Sequence, residues 1–590
     1  MKKQTTLFIS IAIIGALLFS STIPVQGQTV KLKLIETSDI HGALFPWDFK
    51  ADKPSAASLA QIYTYVEEQR ADKSQEVVLL DNGDILQGQP VVYYSNFEKS
   101  NAEHICASIM NYMKYDAAVV GNHDIEAGHP VYDKLEKEFN FPWMAANAVD
   151  KKTGNPYFKP YTILVRGGVK IAILGLITPG IPMWLPEDIW SGIEFQDMIV
   201  NAKKWMKVIK ENERPDLIIG LFHAGVDANY NGQTAEMLCN ENASQLVAEQ
   251  VPGFDVVFVG HDHSGWNYNV KNKDGKDVLI LGTLGSARTA TEATIILNKN
   301  KESGKWEKEI EGKIIHSEAY LPHKGYMKTF KKQMDEVKAY VAKPIGRFTN
   351  TISNRESFFG NSAFIDLIQR IQLDLTKADV SFASPLSFNA QIREGEVYVR
   401  DMFNLYKYEN LLYTIRMSGR EIKDYLEFSY GQWFNQMKDA DDELLKYNHD
   451  EQGKILLSRG NPSLATSYYN FSSAAGILYT VDLRNLPGEK ITILSMSDHS
   501  PFDLDKDYTV AVNSYRGNGG GGHLTIGAKI PAEELSARVI QSTSKDLRYY
   551  LMKWIEEEKV VSPEVLGNWT VIPEEWWIIG KEKEQQLLFK

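Results

Sequence analysis

The chain has 590 residues, 43% of them hydrophobic, and a formal net charge of −12. That length exceeds what one hydrophobic core serves, so two or more domains are expected. An acidic chain with no long Lys/Arg run is a poor candidate for coating a nucleic-acid polymer, but a phosphate-bearing small substrate stays open, because bound divalent cations can dominate the local charge.

The chain opens with Met1-Lys2-Lys3, an apolar run from Leu7 to Phe19, and small and polar residues to Gly27. This order reads as a secretory signal peptide over residues 1–27. A membrane anchor is the alternative, but Ser, Thr, Gly and Pro dilute the run. The expected location is therefore periplasmic or secreted, with no stable membrane insertion after cleavage. The two cysteines, Cys106 and Cys239, fall in segments that read as helical and have no metal-ligand spacing; two thiols or one disulfide are both open.

From residue 28 the apolar pattern alternates between strands and helices. Strands are predicted at 31–37, 77–80, 116–120, 161–165, 169–177, 217–222 and 255–259, and helices at 55–70, 101–114, 129–139 and 195–212. Such alternation implies an α/β layered sandwich. A charged helix over 324–342 followed by Pro344-Ile345-Gly346 marks a boundary, dividing residues 28–323 from a second domain over 345–590 with 324–344 as a linker helix. In the second domain helices are predicted around 362–376 and 419–429 and strands at 478–483 and 508–512. The polar stretch 432–459 reads as a surface insertion.

The chemistry collects where strands end. Asp39 and His41, Asp84, Asn122 and His123, His223, and His261 and His263 each follow a predicted strand, and loops at strand ends are where open α/β sheets bind ligands. A single histidine there would be an ordinary loop residue, and Asp81-Asn82-Gly83-Asp84 alone would pass as a turn. Five such loops make chance a poor account, since five of the twelve histidines fall in them. His104 and His129 read as helix-surface residues. Imidazoles with carboxylate and amide oxygens suit Mn²⁺, Zn²⁺ or Fe. Seven ligands exceed one tetrahedral ion but suit two ions sharing a carboxylate, an arrangement that clamps a phosphoryl group and lowers the pKa of water to about 7.

The series Asp-x-His, Gly-Asp, Gly-Asn-His, His, Gly-His-x-His resembles the calcineurin-like metallophosphoesterases. The two-domain length narrows the resemblance to the bacterial secreted 5′-nucleotidase / 2′,3′-cyclic-nucleotide 2′-phosphodiesterase family. It implies a four-layer α/β metallophosphoesterase sandwich followed by a second α/β substrate-binding domain. It also implies two divalent metal ions, with Asp39, His41 and His263 holding one, Asn122, His223 and His261 the other, and Asp84 bridging. His123 would act on the substrate rather than on metal. The family commonly orients that histidine with an Asp three positions on; here Glu126 stands there, and Asp124 is a rival.

For the second domain, Tyr469-Asn470-Phe471 and Asn513-Ser514-Tyr515-Arg516-Gly517-Asn518-Gly519-Gly520 resemble the stretches that sandwich a nucleobase, with Phe471 and Tyr515 as the matching rings. Base stacking on such rings tolerates any base. Phe471 as a core residue is the plain alternative. Arg355 is a candidate for phosphate. The 5′-nucleotidase branch carries an Asn-Gly-Gly-Gly-Ile-Arg stretch where this chain reads Ala383-Ser384-Pro385-Leu386-Ser387-Phe388, and an Asp where this chain has Gly521. Trp47-Asp48-Phe49 and Ser514-Tyr515-Arg516 look closer to the branch that opens 2′,3′-cyclic nucleotides and then removes the 3′-phosphate. The expected partners are nucleotides or nucleoside 2′,3′-cyclic phosphates. The rivals are a 5′-nucleotidase or UDP-sugar hydrolase and a catalytically silent nucleotide-binding protein. With chemistry and base recognition on separate domains, a rotation near residues 343–346 is expected to bring them together.

Overall fold

The structure, a computed structural model, describes residues 28–458 and 460–589; the signal peptide expected over residues 1–27 lies outside them. No described helix is long and apolar enough to cross a membrane.

Two six-stranded mixed sheets form the centre of the first half. In the first, Thr29–Thr37 runs parallel to Glu76–Asp81 and antiparallel to Thr289–Lys299. In the second, Leu217–His223 lies between Val169–Ile177 and Val256–Val259, parallel to both. Side chains alternate across a strand, so Leu32, Leu34, Val78 and Leu80 of the first sheet meet Ile171, Ile173, Ile219 and Leu221 of the second in one dry layer. Ile35 and Leu79, with the opposite parity, face helices Leu59–Ala71 and Ile105–Met113. Helices Met198–Asn212 and Ser244–Gln250 cover the far side of the second sheet. The result is the expected helix–sheet–sheet–helix sandwich, and the parallel strands of both sheets end along one edge.

The second half is built on a five-stranded mixed sheet in which Asp507–Asn513 pairs with Val380–Ala383 and Leu411–Ser418. Helices Ala363–Thr376 and Gly419–Trp433 lie where the apolar spacing puts them.

Three expectations are corrected. The charged helix at the boundary is two helices, Lys324–Thr329 and Lys331–Val341; Lys331, Lys332 and Asp335 are exposed, but Tyr326, Phe330, Val337 and Tyr340 on the other face are buried. They belong to one apolar core that runs from Ile105 and Tyr93 through the linker to Phe403, Leu547 and Ile555. The stretch 432–459 is a surface segment only in its later part, where most residues from Asn448 to Ser458 are exposed; the earlier part packs inward. Trp433, Phe434, Leu444 and Leu445 are buried in the second core, held by Glu584, which accepts from the backbone N–H of Leu444 and Leu445 and from the Tyr447 hydroxyl. Of the two cysteines only Cys106 is helical; both are free thiols, Cys106 buried and Cys239 exposed.

Candidate metal centre and cleft

Each loop leaves its strand through a sharp turn. Asp39, His41, Asp84, His261 and His263 all have positive φ, between 48° and 74°. Few non-glycine residues adopt this conformation, and it persists only where the surroundings over-determine it. Five of the seven expected ligands do so. Gly121 is needed for a different reason: a Cβ there would stand inside the Asp84 carboxylate.

The turns bring the seven side chains together. His263 Nε2 lies 3.1 Å from Asp39 Oδ1 and 3.0 Å from His41 Nε2. His223 Nε2 lies 3.3 Å from Asp84 Oδ2 and 3.1 Å from Asn122 Oδ1, which is also 2.9 Å from His261 Nδ1. Asp39, His41 and His263 form one cluster of ligand atoms, and Asp84, His223 and His261 a second.

The outer hydrogen bonds fix the tautomers. His41 Nδ1 faces the Gln87 carbonyl at 3.1 Å, His223 Nδ1 the Asn82 carbonyl at 2.6 Å, and His261 Nε2 the Glu241 carboxylate at 3.0 Å. Those partners only accept, so each ring donates there and a neutral ring turns its lone pair inward. Burial, and then the neighbouring His263, lower the His41 pKa to about 3, so that ring is neutral. At His223 burial works against the charge, but the Asp84 carboxylate outweighs it and holds the pKa at about 10. Imidazole nitrogens, carboxylates and an amide oxygen converging at these distances are a donor set that fits divalent cations.

His123 stands apart from the ligands. Its backbone N–H donates to Asp84 Oδ1 at 2.8 Å, and its Nδ1 lies 2.5 Å from Glu126 Oε2. Burial works against its charge, but the Asp84 and Glu126 carboxylates outweigh it and hold its pKa at about 9. Asp124 does not compete. Its carboxylate accepts the backbone N–H groups of Gly121, Asp84, Ile85 and Leu86 at 2.8–3.1 Å, locking the Asp84 loop to the Asn122 loop. Glu241, which orients His261, and Trp184, stacked on the same ring at 5.6 Å, had no signal in the sequence, because one comes from a loop and the other from the short helix Ile181–Trp184, neither with ligand spacing. His104, expected on a helix surface, is buried and caps its helix by accepting from the Cys106 N–H.

The clusters open into a cleft of about 1080 Å³ walled by both halves of the chain, at the upper end of the roughly 300–1,000 Å³ usual for small-molecule sites. His123 and Glu126 of the first half line it together with Tyr408, Tyr469 and Tyr515 of the second. Two expected substrate residues are not there. Phe471 is buried and stacks on Trp433, with ring centroids 5.2 Å apart; the short 3₁₀ turn Tyr468–Asn470 presents Tyr469 to the cleft instead. Arg355 lies over the Phe589 ring, its Nε bonded to Asn389. The buried cation at the cleft wall is Arg516, whose guanidinium donates to Asn470 Oδ1 and to the carbonyls of Gly520 and Tyr469. A side chain at position 521 would collide with it, and Gly521 has φ +70°, which explains the missing Asp.

Known proteins bear on this geometry. The profile of calcineurin-like phosphoesterases matches residues 32–265, and that of the 5′-nucleotidase C-terminal domain residues 344–527. The trifunctional nucleotide phosphoesterase protein YfkN of Bacillus subtilis is 26% identical over 92% of this chain, which spans 39% of that protein's length. A 2′,3′-cyclic-nucleotide 2′-phosphodiesterase/3′-nucleotidase of Yersinia enterocolitica is 24% identical over 87% of the chain and 84% of its own, and a 5′-nucleotidase of Vibrio cholerae 26% over 71% and 80%. Among solved structures, a 5′-nucleotidase precursor from Thermus thermophilus superposes with a TM-score of 0.61 at 20% identity, covering 92% of this chain and all of the other.

Proposed function

As a calcineurin-like phosphoesterase joined to a 5′-nucleotidase C-terminal domain, this chain is a phosphoester hydrolase, and we propose that it opens nucleoside 2′,3′-cyclic phosphates at the 2′ ester and then removes the 3′-phosphate. The observation that carries this reading is that one cleft is lined by an imidazole–carboxylate pair, His123–Glu126, by residues of the two ligand clusters, and by two aromatic rings of the second half, Tyr469 and Tyr515.

Two divalent cations held by Asp39, His41 and His263 and by Asn122, His223 and His261, with Asp84 between, would neutralise the phosphate and acidify the attacking water. The chain does the rest. Tyr469 and Tyr515 take the base between them, held in place by Arg516, which bonds the backbone or side chain of residues 469, 470 and 520. Glu126 fixes the His123 ring by its Nδ1–H, so that Nε2 carries the proton donated to the departing ribose oxygen. Asp84 sets the height of that ring through the His123 N–H.

The rival is a 5′-nucleotidase or UDP-sugar hydrolase. Against it stand Gly521, where Arg516 leaves no room for an acid, and the segment 383–388, which has no arginine. Residues 1–27 support an address outside the cytoplasm. The test is a panel of 2′,3′-cyclic AMP, 3′-AMP, 5′-AMP and UDP-glucose with Mn²⁺ and with a chelator. The expected order has the first two well ahead; 5′-AMP ahead of both overturns the assignment, and turnover of none with Mn²⁺ returns the protein to a binding role.

A further inference from the structure

We propose that Arg548 is a positioning residue for the nucleoside wall of the cleft, and that Tyr93, from the other half of the chain, holds it in place. This rests on the nucleotide reading of the same cleft.

Part of the wall is a five-residue connection, 406–410, between helix Val399–Leu405 and strand Leu411–Ser418. Its residues Lys407, Tyr408 and Asn410 line the cleft. Connections of this kind ordinarily run over the surface, with carbonyls bonded to water. This one is tied down from a single point. Arg548 is 2% exposed. Its Nε donates to the Tyr406 carbonyl at 2.9 Å, its Nη2 to the Lys407 carbonyl at 2.6 Å and its Nη1 to Glu409 Oε1 at 2.9 Å. The neighbouring Leu547 N–H donates to the Asn410 carbonyl at 2.7 Å. A rigid guanidinium fork can serve three fixed acceptors at once; a lysine ammonium is a point charge on a flexible stem and cannot.

The hold passes on to a second ring. The Tyr406 hydroxyl accepts from Asn410 Nδ2 at 3.3 Å and from Asn513 Nδ2 at 3.2 Å. Asn513 Oδ1 in turn accepts the Arg516 N–H at 2.9 Å, capping the turn Ser514–Gly517 that carries Tyr515. A shift of the 406–410 connection therefore displaces Tyr408 directly and Tyr515 through Tyr406.

The first half closes over the guanidinium. Its Cζ lies 5.0 Å from the centre of the Tyr93 ring and 4.3 Å from that of Phe403. The Tyr93 hydroxyl donates to Asp546 Oδ2 at 3.1 Å, and Asp546 Oδ1 accepts the Tyr549 N–H to cap helix Leu547–Glu558, on which Arg548 stands. Tyr93 ends the helix Pro90–Tyr93, next to Gln89, whose N–H donates to the His41 carbonyl at 2.9 Å. A line of touching groups thus runs from a candidate metal ligand to two rings of the opposite half. Burying a guanidinium is costly, and here it fixes a stretch of cleft wall.

The test uses the full chain loaded with Mn²⁺ and compares wild type with Arg548→Lys and Tyr93→Phe. Calorimetric titration with adenosine reads the nucleoside wall, and titration with inorganic phosphate reads the metal side. Arg548→Lys is expected to weaken adenosine about tenfold more than phosphate, the scale of one lost base stack, and to raise the KM for 3′-AMP by more than it lowers kcat. Tyr93→Phe, which loses one hydroxyl, should show the same imbalance at about threefold, and it carries the test if Arg548→Lys does not fold. Equal losses for adenosine and phosphate, unchanged adenosine affinity, or a wild type that binds no adenosine overturn the proposal. If the wild type binds adenosine but hydrolyses no nucleotide, the enzymatic reading fails separately and the two titrations still decide the role of Arg548.

Discussion

Glu126 Oε2 and His123 Nδ1 lie 2.5 Å apart, a carboxylate gripping one nitrogen of an imidazole whose other nitrogen faces the cleft. The glutamate is one methylene longer than the aspartate common at this position, and the turn Asn122–Glu126 absorbs the difference. His123→Ala is expected to lower kcat by about 10²–10⁴, the usual worth of a positioned acid or base. Glu126→Gln keeps the ring nearby but removes a charge that raises its pKa. The basic limb of the kcat profile, which falls as His123 loses its proton, should then move to lower pH. A limb that stays put would show that Glu126 does not set the His123 proton.

Asp124 offers a separable test. Replacing it with Asn removes one of two oxygens that together receive four backbone N–H groups, leaving an N–H donor aimed at donors. Stability should fall by about 2–4 kcal/mol, and Mn²⁺ should bind more weakly because the Asp84 and Asn122 loops lose their common anchor. Thermal unfolding and metal titration of the variant read both effects; retention of wild-type metal affinity would contradict the role.

Chelation should lower the melting temperature, since cations that bind only the folded chain stabilise it, by about 2.7 kcal/mol at a hundredfold excess over Kd. Buried Asp39 and Asp84 are the carboxylates that would lose the cations' charge. Scanning calorimetry against Mn²⁺ concentration should give a midpoint rising logarithmically.

The aromatic residues of the second half separate binding from packing. Tyr469→Ala and Tyr515→Ala should each raise the KM for nucleotides, by about 1–3 kcal/mol of lost stacking, with little change in melting. Phe471→Ala should do the reverse, costing about 3–5 kcal/mol of stability with an unchanged KM in the folded fraction.

Asp366 lies buried in helix Ala363–Thr376, its Oδ2 accepting only the Leu566 N–H at 2.8 Å, and burial raises its pKa to about 7. The folded state therefore holds this proton more tightly than the unfolded chain does. Its contribution is full below about pH 4 and lost as pH rises toward 7. Asp366→Asn keeps an acceptor without the charge, so it should melt like wild type near pH 4 and above it at pH 8, by about 2–4 kcal/mol at 1.4 kcal/mol per pKa unit.

The ligand residues were legible because chemistry and strand pattern coincide there. A buried apolar run followed at once by Asp, His or Asn has few structural explanations, and five repeats leave fewer. The aromatic rings at the cleft were legible only to within two residues. Tyr469 and Phe471 are both aromatic, and the choice between them is made by a single 3₁₀ turn with no signature of its own. The inward-packing part of 432–459 was missed for the opposite reason: Trp433, Phe434, Leu444 and Tyr447 are scattered among polar residues at no fixed period, and the carboxylate that holds Leu444 and Tyr447, Glu584, is more than a hundred positions away.

The apolar core that runs without interruption from Tyr93 and Ile105 through Tyr326 and Tyr340 to Phe403 and Ile555 makes the protein hard to take apart. A fragment ending near residue 343 would turn a wide greasy face to water and precipitate, and protease should find no easily nicked neck between the halves. Heating should give a single endotherm rather than two. A rotation of one half on the other near residues 343–346 would have to part or slide these packed side chains.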